Sequence, residues 1–294
     1  MESDTGETPF YIACEKGQIE TARLLFKDER VDINEANKHD KTPFHIACEN
    51  GHIEIVKLLL NDERIDINKL NKYNQTPFSI ACGLGHIEIV KLLLSDERVD
   101  INSGWTPIHV ACEYGNMEIT KLLLKDKRVD VNKADNDGWT AFYLACFHGQ
   151  IEIVELLLND QRVDINKALN SGETPLYIAC YYGYFDIVKL LLNDKRIDIN
   201  KANKNDQTPF SIVCLLGDIE IVKYFLAFGR SIDINKKDNS ALDNVKENEE
   251  KRMWEKFEES ERTDPKIVEL IESFERNPNE TRFKLVMELG FAGN

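Results

Sequence analysis

Apolar and polar residues follow a pattern that recurs along most of the chain. In residues 76–102, TPFSIACGLGHIEIVKLLLSDERVDIN, two short apolar segments flank a glycine-containing turn. Thr76 suits the N-cap of a first helix and Pro77 its first position, where no backbone N–H is needed. The second segment follows the 3.6-residue helical period at Ile87, Val90, Leu93 and Leu94. The pattern therefore predicts two short helices joined near Gly85.

Seven cysteines mark the recurrence of this unit, each in an IAC, VAC, LAC or IVC context: Cys14, Cys48, Cys82, Cys112, Cys146, Cys180 and Cys214. Their spacing is 34 residues, except for one interval of 30. An odd number of cysteines at one fixed position does not indicate a disulfide framework. We therefore expect buried thiols in a reducing compartment. One pair of short helices cannot bury its own apolar face, so the units must stack.

The segment TPFHIACENGHIEIVKLLL, residues 42–60, strongly resembles the ankyrin repeat. The family pattern runs Thr-Pro-Leu-His, then Ala, then Gly-His and a Val-Val-x-Leu-Leu run. The match recurs seven times, although Ala141 replaces the expected proline and the turn DERVDIN, residues 28–34, is one residue longer than usual. The resemblance implies an all-α solenoid of stacked helix–turn–helix units with β-hairpin or loop fingers.

The resemblance covers residues 4 to about 239 and implies an array over residues 1–239. Its repeats are predicted at about 4–39, 40–73, 74–103, 104–136, 137–170, 171–204 and 205–239. Residues 240–262 are predicted to form a degenerate capping half-repeat, because Ser-Ala-Leu stands where Thr-Pro-Phe would. The first repeat shows little sign of a polar cap. Either the chain is a fragment of a longer protein, or its first repeat frays.

A helical extension is predicted over residues 263–294. Pro265 begins one helix, and the Asn277, Pro278 and Glu280 spacing is that of a capping box. Gly290 is expected to end the second helix. Two alternatives stay open: the helices dock on the last repeat, or they recruit a second protein.

The junction between repeats 3 and 4 is short. Three residues separate Asn102 from Thr106, whereas seven separate Asn68 from Thr76. The missing four residues are most of one finger, so we expect a gap beside Trp105 and a boundary in the chain. The gap either weakens coupling between repeats 1–3 and 4–7 or admits a partner element. The remaining alternative is a tolerated deletion or an error in the gene model.

Charge and hydropathy exclude several classes of function. The net charge is −15, with −7 over residues 1–102, −3 over 103–239 and −5 over 240–294. No segment is basic, so a nucleic-acid partner is not expected. No apolar run approaches the roughly 20 residues of a membrane span. The N-terminus lacks the features of a signal peptide. We therefore expect a cytoplasmic protein.

The sequence contains no constellation that indicates catalysis. No cysteine–histidine pair has zinc-finger spacing, and the glycines are scattered singly rather than in a phosphate-binding loop. The recurring acid–Arg–acid turn, as in DERID at residues 62–66, predicts a surface ladder, because a catalytic pair needs to occur only once. We expect no enzyme activity, cofactor, metal or small-molecule substrate.

The resemblance implies that fingers and first helices line a concave face where partners dock. The repeats differ most in the fingers and in the pair of residues after Ala-Cys. Aromatic residues number six in residues 1–102 and fifteen in 103–239. Because aromatic side chains dominate binding hot spots, we predict the main contact surface on repeats 4 to 6. Its candidate residues are Trp105, Tyr114, Trp139, Tyr143, Phe147, Tyr177, Tyr181 and Tyr182. The alternative is that these rings pack between neighbouring first helices.

These patterns predict a monomeric, non-enzymatic scaffold or adaptor that binds a protein partner. One alternative is a targeting or regulatory arm of a larger signalling or ubiquitin-pathway enzyme, whose catalytic domain lies outside this chain. Another is an adaptor whose C-terminal helices recruit a second protein. The identity of the partner is not encoded in the fold.

Overall fold

The computed structural model describes residues 6–228, 230–233 and 265–290. The chain divides into two compact units, Met1–Asp135 and Asn136–Asn294. Within the described ranges the regular elements are sixteen helices, and no β-strand occurs there. The predicted all-α fold of stacked repeats is confirmed, with fingers built from turns. The division falls after Asp135 rather than at the short junction near residue 102, where a boundary was expected.

The first unit contains four helix pairs. They are α1 (Pro9–Glu15) with α2 (Ile19–Phe26), α3 (Pro43–Glu49) with α4 (Ile53–Leu60), α5 (Pro77–Gly83) with α6 (Ile87–Leu94), and α7 (Pro107–Glu113) with α8 (Met117–Lys125). First helices pack side by side in the order α1, α3, α5 and α7, and second helices in the order α2, α4, α6 and α8. Each pair therefore buries its apolar face against its neighbours.

The second unit continues this plan and adds two helices. Its elements are α9 (Ala141–Phe147), α10 (Ile151–Leu158), α11 (Pro175–Tyr181), α12 (Phe185–Asn193), α13 (Pro209–Leu216), α14 (Ile219–Ala227), α15 (Pro265–Arg276) and α16 (Pro278–Glu288). The last two helices pack against each other and against α14. Lys223 Nζ and Glu288 Oε1 form an ion pair of 2.8 Å across this contact. The helical extension is thus docked on the last repeat, and a recruiting role for it stays a prediction. The half-repeat predicted at 240–262 lies outside the described residues.

Threonine side chains cap the first helices as the pattern predicts. In six repeats the threonine Oγ1 accepts a hydrogen bond from the backbone N–H three residues later. Repeat 4 is the exception: Thr106 makes no such bond, and its Oγ1 instead lies 2.6 Å from His109 Nδ1. Ala141 still begins α9 without proline, because Thr140 provides the cap.

The seven cysteines lie in the core of the repeats, and none of them forms a disulfide. Burial raises the pKa of the Cys14 and Cys112 thiols to about 12. Since the thiolate is the reactive form of cysteine, these side chains act as small apolar core residues. The expectation of buried thiols is confirmed.

In three repeats the arginine of the acid–Arg turn bonds to the repeat before it. Arg98 Nη2 donates to Asp96 Oδ2 at 2.6 Å and to the carbonyl of Leu60, at the end of α4, at 2.8 Å. The same bond runs from Arg128 to Leu94 and from Arg196 to Leu158. Each arginine therefore satisfies a carbonyl that the end of the second helix leaves without an intrahelical partner. This placement supports the structural interpretation of the turns.

Candidate partner-binding surface

Aromatic rings form a connected group at the ends of the first helices of the second unit. Trp139 and Phe147 lie 5.1 Å apart between ring centroids, Phe147 and Tyr182 lie 5.2 Å apart, and Tyr181 and Tyr182 lie 5.2 Å apart. All three pairs are edge-to-face, a favourable geometry for aromatic rings. We call these four residues the aromatic cluster. With Tyr143, whose ring lies 5.0 Å from that of Trp139, the structure brings together five of the eight candidate residues.

Tyr181 and Tyr182 are the accessible part of the aromatic cluster. Their exposed fractions are 47% and 44%, although each ring also contacts the other. Tyr182 further stacks on Tyr184, with 5.7 Å between centroids. His148 and Tyr184 extend the group through ring contacts, although neither was a candidate residue.

Tyr143 and Tyr177 lie beneath this surface instead of facing it as expected. Only 1% of Tyr143 and 6% of Tyr177 is exposed, so neither ring forms much of the outer surface. Trp139 covers Tyr143 edge-on at 5.0 Å, and the Tyr177 hydroxyl donates to Gln207 Oε1 at 3.1 Å. Burial raises the pKa of Tyr177 to about 12. These two rings support their neighbours, and a direct role in binding stays a prediction.

Trp105 and Tyr114 belong to the first unit. The Trp105 ring stacks on His109, with 4.8 Å between centroids and 20° between planes. Its Nε1 donates to Glu113 Oε2 at 3.2 Å. Tyr114 is 62% exposed. Two of the eight candidate residues therefore lie in the first unit and six in the second.

The short junction packs against the finger before it. Trp105 N donates to the Asn74 carbonyl at 2.7 Å. Gly104 adopts φ +58°, and a Cβ there would lie 2.3 Å from the Asn74 oxygen. Only glycine fits this close approach in a left-handed conformation. The shortened segment is thus a defined turn, and any use of it by a partner stays a prediction.

Two half-buried histidines, His52 and His86, have structural surroundings. His52 Nε2 lies 2.9 Å from the Glu15 carbonyl, and His86 Nε2 lies 2.8 Å from the Glu49 carbonyl, so each bridges two repeats. In the described part of the chain, no group of three or more His, Cys, Asp or Glu side chains could hold a metal ion. Over the same residues, no helix combines the length and apolar character that crossing a membrane requires.

Family models for ankyrin repeats match most of the chain. A three-copy model matches residues 1–71, 63–135, 78–168 and 127–203, and a many-copy model matches residues 182–226. The chain belongs to the ankyrin repeat family. Ankyrin repeats generally mediate contacts between proteins and are non-catalytic modules.

Solved structures share the ankyrin fold. The crystal structure of the human ASB11 ankyrin repeat domain matches with a TM-score of 0.63 and 20% sequence identity. The match covers 76% of this chain and 99% of that domain. At this identity the similarity concerns the fold alone. No curated protein matches the chain.

Proposed function

We propose that this ankyrin repeat protein is a non-enzymatic scaffold that binds a protein partner, mainly through repeats 4 to 6. The observation that carries the proposal is the pair of half-exposed tyrosines, Tyr181 and Tyr182, held in ring contact. Tyrosine and tryptophan supply a large contact area at low entropic cost, which is why they dominate hot spots.

The aromatic cluster is ordered before any partner arrives. Tyr182 contacts Phe147, Tyr181 and Tyr184, so its ring loses little conformational freedom on binding. Pre-ordered contact residues raise affinity because the entropic cost of association falls. Trp105 and Tyr114 in repeat 4 are proposed as additional contacts.

The competing interpretation, in which the aromatic rings only pack between first helices, suits Tyr143 and Tyr177 because both are buried. It does not suit Tyr181 and Tyr182, because roughly half of each side chain is in contact with solvent. Removing the two exposed rings should therefore separate binding from folding.

The test replaces Tyr181 and Tyr182 together by alanine. Loss of a hot spot costs about 2 kcal/mol or more, so recovery of the main partner by affinity capture from native cells should fall roughly 30-fold. Quantitative mass spectrometry measures the recovery, and thermal melting checks the fold.

The matched control is Tyr73→Ala, because Tyr73 is also a surface tyrosine, 62% exposed, but lies in a finger of the first unit. Its partner recovery should equal that of the wild type. A large drop in melting temperature of the double variant with recovery retained would contradict the proposal.

We also propose that the protein acts in the cytoplasm as a monomer. Seven buried thiols without a disulfide suit a reducing compartment. Sedimentation at micromolar concentration should give one species with the 33.9 kDa mass of the chain. Fractionation of native cells should recover it with cytosolic markers.

A further inference from the structure

A notch of about 180 Å³ opens on the first unit at the end of α5. Its walls come from three consecutive repeats. Glu49 ends α3, Ser79 and Gly83 belong to α5, and Val110 and Tyr114 come from α7 and its C-cap. The notch lies wholly within the first unit and contains no residue of the aromatic cluster.

The notch exists because α5 has glycine where the other repeats have larger residues. The residue after Ala-Cys or Val-Cys is Glu, Glu, Glu, Phe, Tyr and Leu in the other six repeats, and glycine only at Gly83. A Cβ on Gly83 would meet Val110 Cβ at 3.5 Å and Tyr114 Cδ2 at 3.6 Å, which are ordinary contacts. Alanine would therefore fit at position 83, and it would stabilise the helix relative to glycine. The glycine leaves open space where a longer side chain would stand.

The walls combine apolar surface with a carboxylate. Ile80, Leu84 and Val110 provide the apolar part, and the exposed Tyr114 ring stands at one side. Glu49 stands at the other side, where Lys41 Nζ contacts its Oε2 at 2.5 Å. Lys41 also lines the notch, and it binds one oxygen of Glu49, so Oε1 is the atom that can accept from an incoming donor.

The acidic surface around the notch favours a cation, although Lys41 in the wall offsets the charge of Glu49. Glu113 on α7 occupies the position equivalent to Gly83 in the neighbouring repeat, so carboxylates end both helices beside α5. Residues 1–102 carry 12 basic and 19 acidic side chains. A ligand group for this notch therefore needs an apolar stem and a positive head.

We propose that the notch binds an arginine side chain from an extended segment of a protein partner. The arginine methylenes lie against Leu84 and Val110, as long cationic side chains cover apolar surface with their stems. The guanidinium stacks on Tyr114 and donates to Glu49, because its planar fork suits both an aromatic face and a carboxylate. This site shares no residue with the aromatic cluster, although Tyr114 is also one of the additional contacts proposed above.

The test is an NMR titration of the ¹⁵N-labelled full chain with the peptide acetyl-Ser-Gly-Arg-Gly-Ser-amide. The matched probe carries citrulline in place of arginine, which keeps the shape and removes the charge. We expect the arginine peptide to shift the amide signals of Gly83 and Tyr114, with a Kd at least five-fold lower than that of the citrulline peptide.

Two variants locate the site. Gly83→Leu fills the notch and should weaken arginine-peptide binding at least ten-fold, while Gly83→Ala reports any effect of the helix alone. Glu49→Gln should bring the Kd values of the arginine and citrulline peptides together. Glu15→Gln, at the equivalent position of repeat 1, should leave the two Kd values unchanged.

Several outcomes would overturn the assignment. Equal binding of the citrulline peptide would make the notch an apolar site, and equal binding of a lysine peptide would remove the guanidinium from the recognition. Absence of shifts at Gly83, or a folded Gly83→Leu variant that binds as the wild type does, would also refute it.

The outcome is distinguishable from that of the proposed function. The Tyr181→Ala, Tyr182→Ala variant should bind the arginine peptide with unchanged Kd, because its substitutions lie in the second unit. Either site can therefore fail its test while the other passes.

Discussion

The surroundings of the buried His45 side chain keep its imidazole ring neutral, and the neutral ring makes the hydrogen bonds of its repeat. Its Nδ1 accepts from the Thr42 backbone N–H at 3.1 Å, so Nε2 carries the proton and faces the Gln75 carbonyl at 3.3 Å. Burial lowers its pKa to about 4. The neutral ring therefore holds the start of α3 and the following finger together.

This shift makes stability depend on pH in a defined window. In the unfolded chain a histidine has a pKa of about 6.5, so between pH 6.5 and 4 the unfolded state binds more protons than the folded state. Stability must then fall as the pH falls, by about 2 kcal/mol between pH 7 and 5. Urea unfolding at both pH values measures the difference.

The variant His45→Gln should remove this part of the pH dependence while lowering stability at pH 7. His39→Gln is the control, since His39 is exposed, and it should keep the wild-type slope. An unchanged slope in His45→Gln would show that other groups carry the effect.

At the scale of elements, the hydrogen bonds of the turn arginines predict which arginine substitutions lower the free energy of unfolding most. Arg98 donates to the Leu60 carbonyl at the end of α4 as well as to Asp96, whereas Arg30 donates to Asp28. A hydrogen bond that satisfies a helix end contributes about 1 kcal/mol, and an exposed ion pair contributes little.

We therefore expect Arg98→Ala to lower the free energy of unfolding by about 1 kcal/mol, and Arg30→Ala to have little effect. Chemical denaturation of both variants tests the order. Equal losses would mean that the interrepeat bond adds nothing to the bond within the turn.

The short junction is expected to tolerate no side chain at Gly104. A methyl group there would meet the Asn74 oxygen at 2.3 Å, so Gly104→Ala should destabilise the protein by about 2 kcal/mol or more. Gly290→Ala is the matched control, because Gly290 also has positive φ but no atom within 4 Å. It should cost about 1 kcal/mol. Thermal melting compares the two, and similar losses would show that the contact at Gly104 relaxes freely.

Local signals in the sequence predicted the elements well. Threonine caps, proline at the first helical position and the apolar period placed the helices, since all three act over a few residues. The bond from Arg98 to Leu60 was missed because its partner lies 38 residues away. The burial of Tyr143 and Tyr177 was missed for a similar reason. Helical periodicity indicates which face of the first helix carries a residue, but not how far the neighbouring finger covers that face. The one available signal for the notch was the glycine at position 83.

At the scale of the whole molecule, the C-terminal helices complete the second unit. Ile267, Ile271 and Phe274 lie on one side of α15 and are buried, and Arg282 Nε donates to the Leu226 carbonyl at 3.4 Å. The helices therefore cover a repeat whose second helix would otherwise expose apolar side chains, which is the role of a terminal cap.

Ile271→Ala should consequently lower the free energy of unfolding by about 2–5 kcal/mol, measured by urea denaturation. Phe283→Ala, on the exposed side of α16, should change it by less than about 0.5 kcal/mol. If Ile271→Ala left stability unchanged, the extension would be bound too loosely to act as a cap.

The seven buried thiols have a practical consequence. Each repeat carries one cysteine that a labelling reagent reaches only after that repeat opens, so modification rates at the seven positions report seven local opening equilibria. A single wild-type sample, labelled for increasing times and digested, would then give a map of opening free energies along the chain without any introduced probe. Such a map would show whether opening proceeds from the ends of the array or begins at the short junction.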